Sequence, residues 1–350
     1  GSRAAAGAPA PTLLIGSHID SVRNAGRYDG PLGVLVAIEA LNLLHDDAAT
    51  LAFPVEVVAF ADEEGLRYRS SYLASRAFIG TLEPAELDFV DDKGVTLRDA
   101  VRAMDGDPAA LGGERRTGDD LLGYLEVHIE QGPVLQDRGL PLGVVSSIAG
   151  QSRGSVTFTG VAGHAGTVPP ELRRDALCAA AEWILMVEKH AREQDGLVAT
   201  VGQIGIEPCV GNVIPGVARV SYDVRHRDDG EKERACRELR ELAGSIAERR
   251  GLTCSWETLQ EHAAVPMAPW LVDALGAAVQ SAGHPVHVMP SGAGHDAVSL
   301  SGITDVAMLF VRCRDGVSHH PDEAVEESDV AAAIGTVVEL LRALDPGSRR

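Results

Sequence analysis

The segment between Thr12 and Gly65 most constrains the fold, because an apolar run closing in polar residues occurs twice with a helix-spaced stretch between. "TLLIGSHID" is short and apolar and then polar, as a buried strand is when it opens onto a functional edge. "GVLVAIEALNLL" has helical spacing, and "VEVVAFADEEG" repeats the first pattern, with carboxylates crowded at its carboxyl end. Strand, helix, strand with reactive side chains after each strand is the order of an α/β sheet. Such sheets bind ligands at that carboxyl edge.

After "PLGVVSSIAG" the texture changes. "GSVTFTGVAG" alternates like an antiparallel strand, and "RRDALCAAAEWILMVEKHARE" reads as a long amphipathic helix. "VATVGQI", "ARVSYDVRHR", the helix "EKERACRELRELAGSIAERRG" and "LTCSWETL" complete a β-α-β-β-α-β order, that of a ferredoxin-like domain. From about His262 the first texture returns, with helix "WLVDALGAAVQSAG", strand "DVAMLFVRC" and helix "SDVAAAIGTVVELLRAL". A chain of 350 residues exceeds what one hydrophobic core usually serves. The expected fold class is therefore α/β: a discontinuous α/β/α catalytic domain over 1–150 plus 263–350, interrupted by a ferredoxin-like α+β domain over 151–262.

A formal charge of −20 opposes binding to nucleic acid or to an anionic membrane surface. The five cysteines, Cys178, Cys209, Cys236, Cys254 and Cys313, are odd in number and never in CxxC spacing, which disfavours both a disulfide framework and a thiolate zinc site. No window holds the roughly 18 apolar residues that span a bilayer. The start, "GSRAAAGAPAP", lacks the apolar centre of a signal peptide and reads as a flexible lead-in. A reducing, cytoplasmic location is expected.

Several residues invite chemistry, each beside a plainer reading. His18 in "GSHID" is placed to bind a metal with Asp20 two residues on, but HxD is common by chance. Asp29 in "RYDG" reads alone as a turn or N-cap aspartate. Glu63 and Glu64 in "ADEEG" are stronger, since adjacent carboxylates repel unless a cation or shared proton intervenes. His128 and His319 would singly be core or surface residues. As a set these side chains form the His/Asp/Glu mixture that paired divalent ions share.

The collinear motifs "GSHIDSVRNAGRYDGPLGV", "ADEEG", "LEVHIEQGPVL", "GHAGTVPPELRRDA", "GNVIPG", "DVR", "SGAGHDA" and "DGVSHHPDE" resemble the amidase/hydantoinase/carbamoylase branch of the M20 metallopeptidase family. That branch includes N-carbamoyl-L-amino acid hydrolases, allantoate amidohydrolases and β-ureidopropionase. The resemblance implies two divalent ions, Zn²⁺ or Mn²⁺ with Co²⁺ and Ni²⁺ also suited, one on His18, Asp29 and His128 and the other on Asp29, Glu64 and His319. It implies that Asp20 orients His18 and that Glu63 is the general base toward a metal-activated water. His164, from a lid and dimerisation domain and typically from the partner subunit, would polarise the scissile carbonyl. Asn212 and Arg225 would bind the substrate carboxylate, with Gln131, Arg153 and the Gly294 backbone as further contacts. The other histidines, His45, His190, His226, His262, His284 and His287, have no supporting motif, and His295 and Asp296 are expected to brace their loop.

The expected activity is hydrolysis of a C–N bond in a carbamoyl or ureido acid by a homodimer. An aminoacylase or dipeptidase of the wider family is the alternative enzyme, and an inactive scaffold the alternative non-enzyme. The sequence departs from the family in starting close to its first strand and in reading "FVRCRD" before "GVSH". Arg312 and Cys313 are therefore expected to alter the pocket beside the second ion.

Overall fold

The computed structural model describes residues 2–3, 11–46, 51–111 and 116–349; most of the lead-in lies outside them. They form a mixed α/β structure with two compact units, Gly1–Ile148 with Pro266–Arg350, and Ala149–Val265.

In the first unit, strands Val55–Phe60, Thr12–His18, Leu121–Ile129, Val306–Val311 and Leu142–Ile148 lie side by side in that order, and Val288–Ser291 pairs with the last. The first four run parallel, so their carboxyl ends share one edge; Leu142–Ile148 is antiparallel to its neighbour. Thr12–His18 and Leu121–Ile129 are buried along their whole length, as strands covered on both faces must be. Leu13, Ile15, Leu125, Val127, Leu309 and Val311 join one core with helices Pro31–Asp46, Pro269–Ser281 and Glu327–Ala343. Burial of each such side chain contributes about 1.5–3 kcal/mol. Alternation along Leu121–Ile129 sends Leu125 and Val127 to that core and leaves Glu126 and His128 for the other face.

In the second unit, strands Thr253–His262, Gly150–Thr159 and Val217–His226 are antiparallel neighbours, and Val198–Thr200 and Ile204–Glu207 pair along the outer side of Val217–His226. Helices Ala176–Glu193 and Asp229–Arg249 pack on Val156, Phe158, Val220, Tyr222 and Val224. Asp175 caps the first helix by accepting from Leu177 N and Cys178 N. Trp183 Nε1 donates to Leu239 O at 2.9 Å, which ties the two helices together. Odd-numbered residues such as Arg153, Asp223 and Arg225 therefore project from the face opposite the helices.

Candidate metal centre

The carboxyl edge of the parallel strands gathers five side chains. His18 closes Thr12–His18, His128 lies one residue before the end of Leu121–Ile129, and Glu64 follows Val55–Phe60. His319 follows Val306–Val311, and Asp29 precedes Pro31–Asp46. They form two sets, His18 with Asp29 and His128, and Asp29 with Glu64 and His319, whose ligand atoms all lie within 4.8 Å of one another in each set.

Local hydrogen bonds settle which ring nitrogens face the centre. His18 Nδ1 donates to Asp20 O and His128 Nδ1 to Ile129 O, both at 2.8 Å, since a carbonyl only accepts. With the Nδ1 protons so committed, both Nε2 atoms face inward, 3.1 Å apart, and His128 Nε2 lies 3.2 Å and His18 Nε2 3.9 Å from Asp29 Oδ1, where a cation would displace any Nε2 proton and take the lone pairs. Tetrahedral zinc with bonds of about 2.0–2.1 Å separates its donors by about 3.3 Å. Three converging donor atoms in a buried pocket are a set that could hold a cation. Asp29 turns its other oxygen outward, with Oδ2 3.0 Å from His319 Nε2, which lies 3.3 Å from Glu64 Oε1.

The electrostatics carry the same demand. Burial alone would raise the Asp29 carboxyl, but hydrogen bonds to His128 and His319 hold it well below the usual carboxylate range. Hydrogen bonds to Asp29 and Glu64 push His319 up to about 10. Burial pushes the His18 ring down, and at His128 it is outweighed by the Asp29 contact, which raises that ring. The buried Asp29 carboxylate thus depends on positive charge beside it, which protonated rings or a divalent ion can supply.

Asp20 acts in two places. Its carbonyl orients His18, whereas its carboxylate lies 3.9 Å from that ring and instead accepts from Glu63 N at 3.1 Å and Glu64 N at 3.3 Å. Glu63 is buried, and burial followed by repulsion from Asp296, Glu64 and Glu126 raises its carboxyl well above the ordinary value. Gln131 Nε2 donates to Asp29 Oδ1 at 3.1 Å, which puts this expected substrate contact against the bridging carboxylate. Gly294 adjoins Tyr72, whose hydroxyl sits where a Cβ on residue 294 would go. His295 bonds Ser291 Oγ through Nε2 at 2.8 Å and sets its ring edgewise against His128.

Within Ala149–Val265, His164 ends the short strand Gly163–His164, paired with Val213, and Asn212 immediately precedes Val213, its O accepting from Ala165 N. His164 is exposed, and its Nδ1 accepts from Gly166 N at 3.0 Å, which leaves Nε2 to carry the proton of the neutral ring. Arg153 and Arg225 share the Asp223 carboxylate, at 2.7 Å from Arg153 Nε and 2.8 Å from Arg225 Nε. Those two bonds and burial oppose each other at Asp223, and the arginines prevail, lowering its carboxyl.

One expectation changes. Arg312 makes a bidentate pair with Asp329, at 2.7 and 2.9 Å, rather than facing the pocket, whereas the buried Cys313 thiol lies against the Gln131 backbone. Reading along the sequence also missed Glu323, whose backbone partners Tyr28 and Asp29 lie far away in the chain, and Asp223, which stands in "DVR" beside Arg225 but pairs as well with the distant Arg153. Only the terminal "PDE" of the last motif hints at the first.

The sequence pattern of peptidase family M20/M25/M40 matches residues 14–343. An allantoate deiminase of Arabidopsis thaliana is 41% identical across 94% of this chain and 69% of that protein. An N-carbamoyl-L-amino acid amidohydrolase of Geobacillus stearothermophilus is 40% identical across 92% of this chain and 79% of its own length. The crystal structure of an amidase of the hydantoinase/carbamoylase family from Burkholderia multivorans superposes with a TM-score of 0.91 at 33% identity, covering 98% of this chain and 83% of that one.

Proposed function

The chain belongs to the M20/M25/M40 peptidase family, and from that premise we propose a dinuclear metal-dependent amidohydrolase that cleaves the C–N bond of an N-carbamoyl or ureido acid. The convergence of the His18 and His128 Nε2 atoms on one oxygen of Asp29, with His319 and Glu64 at the other, carries the reading. His18, Asp29 and His128 would hold one ion and Asp29, Glu64 and His319 the other. Zn²⁺ or Mn²⁺ suits this donor set, as do Co²⁺ and Ni²⁺.

Bound there, such ions supply Lewis acidity toward water and a carbonyl oxygen. Glu63 takes a proton as the water oxygen bonds to the carbamoyl carbon, then delivers it to the nitrogen as the C–N bond breaks, so ammonia leaves neutral. His164 Nε2–H donates to the carbonyl oxygen as charge builds there. Arg225 and Asn212 bind the substrate carboxylate, with Arg153, Gln131 and the Gly294 backbone as further contacts.

The discontinuous unit is the catalytic domain, and the unit between its segments a lid and dimerisation domain. The protein acts as a homodimer in which His164 serves the partner subunit's site. Five free cysteines suit a reducing, cytoplasmic setting. No described helix is long and apolar enough to cross a membrane.

The test is ammonia release from a panel of N-carbamoyl amino acids and allantoate, run beside N-acyl amino acids and dipeptides, with Mn²⁺ or Zn²⁺ added. Turnover of the ureido acids alone is expected. Cleavage confined to N-acyl or dipeptide substrates overturns the assignment.

A further inference from the structure

We propose that Glu323 is a positioning residue that couples the two turns carrying Asp29 and His319, and so sets the affinity of the outer half of the metal centre. The inference rests on the dinuclear reading above.

Glu323 is buried, yet among the described residues no cationic side chain pairs with it. Donors hold it instead. Its Oε1 accepts from Tyr28 N at 2.9 Å and Asp29 N at 3.1 Å, and its Oε2 accepts from Ser318 Oγ at 3.0 Å. Ser318 Oγ in turn lies 3.4 Å from Gln131 Nε2, which donates to Asp29 Oδ1. These contacts close a ring through Asp29, Glu323, Ser318 and Gln131 around the bridging carboxylate. A carboxylate fed by two backbone N–H groups fixes the backbone of the turn as well as its side chains.

Two further observations show a site shaped around this residue. A Cβ at Gly26 would lie 2.3 Å from both Cβ and Oε1 of Glu323, so the approach of the two turns requires glycine there. His319 has φ of 56°, a left-handed conformation that strains a non-glycine residue unless its surroundings hold it. The Ser318–Glu323 bond restrains the residue immediately before it. His18 and His128, by contrast, are anchored by their own strands and by backbone carbonyls, so loss of Glu323 should weaken the ion on Glu64 and His319 more than the ion on His18 and His128, which shares only Asp29 with it.

The plainer role is a brace for two loops. A brace would lower the melting temperature of the metal-free protein while leaving the ion affinities of the folded protein alone. The experiment is calorimetric titration of the metal-stripped full chain with Zn²⁺ or Mn²⁺. The expected result is two binding events in the parent, of which Glu323→Ala weakens one by about 10–100-fold. That event should be the one His319→Ala removes. Glu323→Gln should restore it to within a few-fold, because the amide oxygen still accepts from Tyr28 and Asp29 and its NH2 donates to Ser318. If Glu323→Ala does not fold, Ser318→Ala replaces it and should weaken the same event to a smaller extent. A parent with two ions and a folded variant of either kind with both affinities within twofold overturns this role alone. So does a Glu323→Gln protein as impaired as Glu323→Ala. A parent that takes up fewer than two ions overturns the dinuclear reading and this proposal with it.

Discussion

Gly294→Ala tests how tightly the candidate substrate loop is fitted to the turn carrying the proposed general base. A Cβ at residue 294 would stand 2.0 Å from the Tyr72 hydroxyl oxygen and 3.3 Å from Tyr72 Cζ, where ordinary contact begins at 3.4 Å. The overlap is therefore about 1.4 Å against one oxygen and almost nothing against the ring behind it. Tyr72 is poorly placed to retreat, because its N donates to Glu63 O at 3.0 Å and any shift pulls on the Glu63–Glu64 turn. Overpacking of this kind costs about 1–3 kcal/mol. A displacement of about 1 Å near reacting groups can cost about 10²-fold in rate. Tyr72→Phe removes the offending oxygen, which has no hydrogen-bond partner among the described residues, so alone it should change stability by less than about 0.5 kcal/mol. In the Gly294→Ala background it should recover most of the loss, a coupling of about 1–2 kcal/mol. The assay is a four-protein cycle read by melting temperature and by kcat/KM for a ureido acid with metal supplied. A Gly294→Ala protein indistinguishable from the parent, or one that Tyr72→Phe fails to rescue, would refute the steric reasoning.

Glu63→Gln should lower kcat by about 10²–10⁴-fold, the usual weight of a general base, with metal content unchanged. Its melting temperature should not fall, since Asp20 holds residue 63 through the backbone and the change removes one of several repelling carboxylates. Asp223→Asn addresses pH. The Asp223 carboxyl is depressed in the folded state, so its stabilising effect is present above the unfolded value of about 3.9 and fades as pH falls toward the lower folded value. Melting curves should therefore show the parent losing more stability than the variant as pH drops below about 4, and parallel profiles would contradict the pairing. Mixing Glu63→Ala with His164→Ala subunits should restore activity in part of the heterodimers; proven mixing without recovery would argue against His164 acting across subunits.

The parts of the site visible from the residues alone were those whose chemistry sits next to a strand end. Apolar runs ending in "GSHID" and "ADEEG" imply a reactive edge, because a buried strand that closes in carboxylates must have something to offset them. The division of ligands between two ions was not readable that way and came from family resemblance, since nothing local separates a bridging Asp29 from a turn aspartate. Glu323 closes the motif "DGVSHHPDE", yet neither route tells what it holds. Its partners at Tyr28 and Asp29 are backbone amides nearly 300 positions earlier, and a backbone amide looks the same in every residue. Asp20 illustrates the converse: the HxD spacing anticipates the contact to His18, but the carbonyl makes it and the carboxylate serves the next turn. Arg312 was misjudged because sequence proximity to His319 carries no direction, and its guanidinium points back to Asp329 at the start of the closing helix.

A net charge of −20 looks ill-suited to a protein that takes an anionic acid as substrate, yet it acts weakly at the site. At physiological ionic strength charges more than about 8 Å apart on the surface are largely screened, so a bound carboxylate responds to its immediate neighbours. On the face of the second sheet opposite its helices, the neighbours proposed for it are Arg153 and Arg225 against the single charge of Asp223, a locally positive group whose carboxylate also aligns the guanidinium planes. Removing Asp223 would add net positive charge but release both arginines to more rotamers, and bidentate recognition depends on their planes being held. At the candidate metal centre Asp29, Glu63 and Glu64 would repel an anionic acid, and the two divalent ions proposed there would reverse the sign. On that proposal cations serve binding as well as bond cleavage, so KM as well as kcat should depend on metal occupancy.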